Sequence, residues 1–382
     1  MPYYNPKKTK HLSTINHVLS IFFHEKESKS PISLNLGEEI LVLAFDLIGD
    51  AVMLIPFLHV LKKNAPNARI TLVCRPCTKA VLKEQGLVDR IITCKNRLFV
   101  RITISDFISH VHAIKEINRI SYDYALEPRG DLRDILFMHF CNSERKIAYG
   151  YTGGEYMCTD YIQPSSEKMH LIDDKLSFLK KIGCQYGEND RFPALVLSNT
   201  QVTDNQEFVR RNELDGKLII GIHPGASWKT KQWAKYPELL HELSIKYPTA
   251  IFLIFRAPGN EKSTVTDDTI AKAKVIGANF IVVEEPIDKY IARIALCDVI
   301  ICNDSGAGHI AAALDVETHV IFGPIDSEYA KPLCRNSDRV HTYAARNLSC
   351  YPCGVSECKN NLECLDSIQV KDITKNITVL HN

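Results

Sequence analysis

No stretch of this 382-residue sequence holds the ~20 consecutive apolar residues that a bilayer-spanning helix needs. Nor does its N-terminus show, in order, a charged stretch, an apolar stretch and a small-residue cleavage site. A membrane span and a secretory leader are therefore not expected, and a cytoplasmic setting with reduced thiols is. Net charge is nearly absent as well, since 46 Lys and Arg against 45 Asp and Glu leave a formal +1. That excludes the whole-molecule positive field that gathers nucleic acid, so any preference for anions must come from local clusters. The sequence also lacks a Gly-x-Gly-x-x-Gly turn after its first apolar run, where Gly49 stands alone, and this argues against a dinucleotide fold. No repeat with a period of about 20–50 residues is evident, which removes solenoids.

What is present is enough for a full core: 45% of residues are hydrophobic and 24% charged, and the length allows two domains of ordinary size. Thirteen cysteines are many, but Cys74, Cys184, Cys297 and Cys302 sit in or beside apolar runs, where a thiol behaves as a small hydrophobe. Residues 1–36 read as an extension. Lys7, Lys8 and Lys10 precede Leu12, Ile15, Val18, Leu19 and Phe22, which fall on one helical stripe. Such a helix lies either on an anionic membrane or on the protein's own surface, the second being the commoner use.

From Glu39 onward short apolar runs alternate with helical patterns, the signature of an α/β fold with parallel sheets and crossover helices. Residues 40–45, 69–74, 90–93 and 122–126 read as strands of a first doubly wound domain over 37–190. The alternation restarts with 218–223, 250–255, 280–283, 298–302 and 319–322, a second such domain over 206–349. The polar stretch 186–206 reads as the linker, and 350–382 as a Cys-rich segment with a tail. Ligands of open α/β sheets bind beyond the carboxyl ends of the strands, so chemistry is expected in the loops there, in a cleft between the two domains.

Four such loops stand out. Asp46-Leu47-Ile48-Gly49-Asp50 leads from the first strand into a helix, where Asp50 is either an N-terminal cap or a general base. His223-Pro224-Gly225-Ala226-Ser227 continues to Lys231-Gln232-Trp233; its small residues let backbone approach a ligand, and Lys229 and Lys231 supply positive charge. Asn303-Asp304-Ser305-Gly306-Ala307-Gly308-His309 precedes an apolar helix, and successive backbone N–H groups at a helix start form a phosphate cradle. Asp304 does not suit a phosphate and is better matched to hydroxyls such as a sugar offers. Phe322-Gly323-Pro324 makes a tight turn nearby.

In order and spacing these four segments resemble the heptosyltransferases of glycosyltransferase family nine, and Tyr122-Asp123-Tyr124-Ala125-Leu126-Glu127-Pro128-Arg129-Gly130 extends the likeness over roughly residues 38–370. The resemblance implies a GT-B fold of two Rossmann-like domains, with an ADP-heptose donor bound mainly by the second. It implies a lipid A-core acceptor of the lipopolysaccharide or lipooligosaccharide inner core bound mainly by the first, and inversion without a catalytic metal. Asp50 would then be the base, with Ser227, Lys231, Ser305, Gly306, Ala307 and His309 on the donor, Asp304 on heptose hydroxyls and Glu261 on the ribose. Arg75, Arg129 and Arg133 are assigned to acceptor anions, which guanidinium groups bind bidentately. Arg129-Gly130 stands where many relatives show Gln-Gly, so the acceptor can differ. Such an enzyme works in the cytoplasm, with peripheral contact to the inner membrane. Two alternatives stay open: a transferase acting on a protein or another glycan, and a nucleotide-sugar binding protein without turnover.

Cys350, Cys353, Cys358 and Cys364 place four thiols in fifteen residues. A structural zinc or iron fits such a set, which leaves no open coordination position for catalysis; a packed loop is the competing reading.

Overall fold

The computed structural model describes residues 6–25, 32, 38–98, 103–256 and 263–377. The chain divides into two compact units, Met1–Arg191 and Phe192–Asn382. In the first, β1 (Glu39–Ala44), β2 (Arg69–Cys74), β3 (Arg90–Thr93), β4 (Tyr122–Glu127), β5 (Ser143–Tyr149) and β6 (Asp160–Ile162) form one parallel sheet in the order β3-β2-β1-β4-β5-β6. In the second, β7 (Ile219–His223), β8 (Ile251–Phe255), β9 (Phe280–Val283), β10 (Val299–Asn303), β11 (Glu317–Phe322) and β12 (Val340–Ala344) are ordered β12-β11-β10-β7-β8-β9, also parallel. Counted within each unit, both sheets follow the doubly wound order 3-2-1-4-5-6.

The central strands show why. β1 reads Glu-Ile-Leu-Val-Leu-Ala and β7 Ile-Ile-Gly-Ile-His, nearly unbroken apolar runs buried on both faces. Only a sheet covered by helices on each side accepts such runs. The covering helices are α1 (Pro6–Phe22), α2 (Ile48–Asn64), α3 (Pro76–Leu82), α4 (Ile104–Ile117), α5 (Leu132–His139) and α6 (Leu171–Lys181) in the first unit. In the second they include α7 (Asn199–Arg211), α8 (Tyr236–Lys246), α9 (Thr264–Ile276), α10 (Ile287–Ile294) and α11 (Gly306–Ala313). No described helix is long and apolar enough to cross a membrane.

Four features depart from the sequence expectation. β5 and β6 were not anticipated because β5 carries Arg145 and Lys146; both are buried through ion pairs, Arg145 with Asp160 and Lys146 with Glu25 at 2.7 Å. The polar stretch expected as linker contains α7, started by a capping box in which Ser198 and Gln201 bond each other's backbone. Its buried face is held by Arg293, which donates to Asn205 at 2.6 Å and lies 4.1 Å from the Phe208 ring centroid. Residues 365–377 are not a tail: Leu365, Ile368, Val370, Ile373 and Ile377 pack with Trp233 and Tyr236 in the core of the second unit. Finally, the α1 stripe splits. Leu12 and Leu19 pack into the first unit, whereas Ile15, Val18 and Phe22 face outward.

Candidate functional site

Each sheet reverses its winding at one point, between β1 and β4 in the first unit and between β7 and β10 in the second. Loops leaving adjacent strands diverge there and open a crevice beyond the strand ends. Three of the four unusual loops leave β1, β7 and β10, and the Arg129-Gly130 segment leaves β4; Phe322-Gly323-Pro324 leaves the neighbouring β11.

In the first unit the crevice is filled with charge. Asp46 follows β1 almost fully buried, and Arg129, after β4, donates to its carboxylate through Nη1. The same Nη1 lies 3.6 Å from Asp50 Oδ2. Asp50 does not cap α2; the cap position is Leu47 with no side-chain bond, and Asp50 is the third helical residue, about a quarter exposed. Behind this front Arg97 donates through Nε to both oxygens of Asp134, at 2.7 and 2.9 Å, and through Nη2 to the Phe45 carbonyl at 3.1 Å. Arg97 also lies 3.6 Å from Asp46 and from Asp131. Arg133 holds Asp131 bidentately at 2.8 and 2.6 Å, and Glu127 accepts from the backbone N–H groups of Arg129 and Gly130 at 3.2 and 2.6 Å.

The electrostatics follow from this crowding. Burial, with help from Asp131, pushes Asp134 up to about 6 against the pull of Arg97. Burial and then the charges of Asp134 and Asp131 raise Glu127 well above the carboxylate range. Burial also works against the charge of Asp131, but Arg133 and Arg97 hold it down to about 2. Lys175, from α6, is buried, and burial lowers its pKa while Asp50, Asp174 and Glu127 favour its charge. Asp50 is thus approached by Arg129 at 3.6 Å.

The turn between β4 and α5 depends on Gly130. It sits at φ +71°, and a Cβ there would lie 2.8 Å from the Tyr151 ring. The Thr152 hydroxyl closes the turn by donating to the Gly130 carbonyl at 2.9 Å and accepting from Leu132 N–H at 2.7 Å.

The second crevice is built from small residues. Asn303, at the end of β10, donates to the Pro224 carbonyl at 2.6 Å and accepts from Trp233 N–H at 3.2 Å, tying the loops after β7 and β10 together. Lys231 Nζ stands 2.7 Å from Asp304 Oδ2, an ion pair by distance without hydrogen-bond alignment, and 5.2 Å from the Trp228 ring. Ser305 is the N-cap of α11, yet its side chain makes no capping bond and its Oγ is buried without a hydrogen-bond partner. The first N–H groups of α11, from Gly306 on, therefore lack a side-chain acceptor, the arrangement that suits an incoming anion. Ala307 and His309 are buried on this helix, while Ser227 is exposed. Gly323 is required by close approach: a Cβ would fall 2.4 Å from the Thr230 carbonyl. His223 is buried against the Tyr290 hydroxyl at 3.0 Å, and burial drops it to about 4, so its ring is neutral.

Of the arginines assigned to an acceptor, Arg129 and Arg133 spend their guanidinium groups on Asp46 and Asp131. Arg75, the N-cap residue of α3 beyond β2, keeps a buried Nε without a hydrogen-bond partner. Glu261 lies outside the described residues. The four C-terminal cysteines are free thiols. Burial and the neighbouring Cys353, Cys358 and Cys350 raise Cys364, but the four do not form a group within ligand distance among the described residues. The group that does is Glu317, His319 and His341. There His319 faces Glu317 at 3.0 Å and the Tyr343 hydroxyl at 2.8 Å, with His341 stacked at 4.4 Å, at the opposite end of the strands from the crevice.

Asp46, Glu127, Asp131, Asp134, Arg97 and Lys175 were not singled out from sequence. The position of Asp46 and Glu127 directly at strand ends is a signal that was there to read. Arg97 and Lys175 arrive from a loop and a helix far along the chain, and nothing in their local sequence marks them.

Comparison with known proteins identifies the family. Residues 111–363 match the model of glycosyltransferase family 9 (heptosyltransferase). The chain is 23% identical over 348 residues to lipooligosaccharide heptosyltransferase 2 of Campylobacter jejuni subsp. jejuni serotype O:2, covering 86% of this chain and 96% of that protein. Among solved structures it is similar to a glycosyl transferase family 9 protein from Veillonella parvula, with a TM-score of 0.75 at 17% identity, over 91% of this chain and 98% of that one. It is similar also to E. coli ADP-heptose LPS heptosyltransferase II, with a TM-score of 0.70 at 17% identity, over 88% and 97% of the two chains. These likenesses show the GT-B fold class that the motifs implied.

Proposed function

Given that the chain belongs to glycosyltransferase family 9 and is a glycosyltransferase, we propose that it moves heptose from ADP-heptose to the inner core of lipopolysaccharide or lipooligosaccharide, with inversion at the anomeric carbon. The observation that carries the reading is the second crevice. Lys231 is held beside Asp304, and Ser305 with the first turn of α11 leaves polar groups unmet. A nucleoside diphosphate sugar has the complementary parts: phosphates for Lys231 and the α11 N–H groups, hydroxyls for Asp304. The names of the Campylobacter and E. coli proteins point to the same donor and acceptor classes.

In the proposed reaction Asp50 accepts the proton of an acceptor hydroxyl as that oxygen bonds to the anomeric carbon. The bond from that carbon to the diphosphate oxygen breaks, and the electron pair leaves with ADP. Charge grows on the leaving diphosphate in the transition state, so Lys231 and the backbone N–H groups of Ser305, Gly306 and Ala307 act where stabilisation accelerates the step. Arg129, 3.6 Å from Asp50, helps to hold its carboxylate in place. Arg75, with its unpartnered Nε, is the assigned contact for an acceptor phosphate or carboxylate. The reading puts the enzyme on the cytoplasmic side.

Incubation with ADP-heptose and a heptose-deficient core acceptor tests the reading: ADP release that requires both is expected. Stabilisation of the protein by a UDP-sugar but not by ADP-heptose in a thermal-shift screen would overturn it.

A structural zinc or iron on Cys350, Cys353, Cys358 and Cys364 is proposed alongside. It rests on four cysteines within fifteen residues, of which Cys350, Cys353 and Cys358 lie near enough to Cys364 to act on it, and a bound metal would supply a covalent tie to the loop that holds them. Elemental analysis of protein purified without added metal checks it, about one equivalent being expected; less than about a tenth of an equivalent removes the site.

A further inference from the structure

We propose that Glu317 and His319 of β11, with His341 of β12, form a binding site for a zinc-class divalent transition ion, separate from the crevice and from the C-terminal cysteines. The strands themselves assemble it. Side chains alternate across a strand, so Glu317, His319 and Ile321 share one face of β11, and His341 and Tyr343 share one face of β12. The parallel register sets His319 directly opposite His341 and Ile321 opposite Tyr343, which makes the two faces one. Nitrogen and carboxylate donors of the three residues all lie within 4.8 Å of one another, with His319 Nε2 and Glu317 Oε1 already at 3.0 Å. A tetrahedral ion with bonds of about 2.0–2.1 Å holds its donors about 3.4 Å apart. His341 closes the remaining gap by turning its ring out of the 4.4 Å stack on His319. It has the room to do so, because it is half-buried on an edge strand and its ring makes no hydrogen bond among the described residues.

The surroundings support His319 as a ligand. Its ring is fully buried, and the nitrogen facing away from Glu317, Nδ1, meets the Tyr343 hydroxyl at 2.8 Å. That hydroxyl accepts from the Asn376 amide at 3.2 Å, just past the short helix Val370–Thr374. An imidazole held by its far nitrogen presents the near one in a fixed direction, as metal-bound histidines do. Glu317 and His341 are only half-buried, which gives an ion a way in from solvent and leaves its fourth position to water. Arg339, the cation that precedes β12, has Asp315 at 3.8 Å. Farther along the same face Ile321 packs with Leu365 and Ile373, so apolar residues would complete it at less cost than two imidazoles and a carboxylate, whose desolvation a bound cation offsets.

The donor set selects the ion. Imidazole suits zinc, copper, nickel and iron, whereas magnesium and calcium take oxygen ligands. Three ligands without thiolate bind less tightly than four cysteines, so this site fills when the ion is supplied. Glu317 stands five residues before Phe322 at the crevice end of β11, about 16 Å along the strand. The ion therefore acts on the fold: it clips the edge strand β12 to β11 and stabilises the second unit by binding its folded form alone.

The test is titration of cobalt(II), whose absorption reports its ligands, into the full-length protein carrying Cys353→Ser and Cys358→Ser, two exposed cysteines whose loss removes the thiol set. About one equivalent should bind, with the visible bands of a nitrogen and oxygen site and no thiolate charge-transfer band; zinc should displace it, and magnesium and calcium should not. In that background the affinity should fall more than about tenfold in Glu317→Gln and in His341→Ala, and about tenfold in Tyr343→Phe, which removes only the support of His319. His319 is left in place because it is fully buried, and circular dichroism of the metal-free variants should match the parent. Saturating zinc should raise the melting temperature by about 5 °C in the parent background and by less than about 1 °C in His341→Ala. No bound cobalt, a thiolate band in the bound spectrum, or undiminished affinity in both Glu317→Gln and His341→Ala overturns the proposal.

Discussion

The two units share a sheet order and place their functional loops at the same topological point, yet the two crevices are opposites in chemistry. The first is crowded with charge that is already satisfied: Arg97 serves Asp134, Asp46 and Asp131, Arg133 serves Asp131, and Arg129 links Asp46 to Asp50. The second is lined by Gly225, Ala226, Gly306 and Ala307, holds one ion pair, and leaves Ser305 Oγ unmet. On the proposed function the first crevice supplies a general base, which must be fixed before substrate arrives, as a network of paired charges does. A site for a diphosphate must instead be empty of side chains and short of anions, which small residues and unmet N–H groups provide. The same scaffold supports both because only the loops differ.

That division gives its largest expected effect at Asp50. Asp50→Ala should lower kcat by about 10³-fold through loss of the base, while donor binding measured by calorimetry stays as in the parent. Turnover within about threefold of the parent would take Asp50 out of the mechanism. On the other side, Lys231→Ala should weaken donor affinity about 10–100-fold, since a charge-assisted phosphate contact is removed. A variant with undiminished affinity would show that Lys231 serves Asp304 alone.

A smaller effect separates the units by pH. His223 has a folded pKa near 4, below the unfolded imidazole near 6.5. Below about 6.5 the unfolded chain therefore binds more protons, and stability falls as pH drops toward about 4, by on the order of 3 kcal/mol. Asp134 runs the other way. Its folded pKa near 6 lies above the unfolded carboxyl, so its contribution to stability is lost as pH rises from about 4 to about 6. Thermal unfolding across this range should show the acid-side loss diminished in His223→Phe and the opposite slope diminished in Asp134→Asn. Slopes identical to the parent in both would contradict the assigned environments. Smallest of all, Gly323→Ala forces a Cβ against the Thr230 carbonyl and should cost about 1–3 kcal/mol in denaturant unfolding, with donor affinity reduced because that loop borders Lys231.

The second crevice was far more legible in the sequence than the first, for a physical reason. A phosphate cradle is local: Asp304 through His309 are consecutive, and small residues ahead of an apolar helix declare themselves. The charge network is assembled from positions as distant as Asp46, Arg97, Arg129 and Lys175, and a lone arginine in a loop looks the same whether it ends in solvent or beneath three carboxylates. The central strands β1 and β7 were visible as apolar runs, whereas β5 was hidden by Arg145 and Lys146, whose charges are paired rather than exposed. The polarity that suggested a linker at 198–205 belongs to the cap and outer side of α7, apart from Asn205, which is buried against Arg293. Periodicity placed Leu12 and Phe22 on one stripe, but only packing shows that Leu12 is buried and Phe22 is not.

The measurement that bears most directly on the division of labour is calorimetric titration of ADP-heptose into Asp50→Ala and Lys231→Ala beside the parent protein. The account predicts parent-like affinity in the first variant, which has lost turnover, and affinity lowered about 10–100-fold in the second. Weakened binding in Asp50→Ala together with parent-like binding in Lys231→Ala would contradict it.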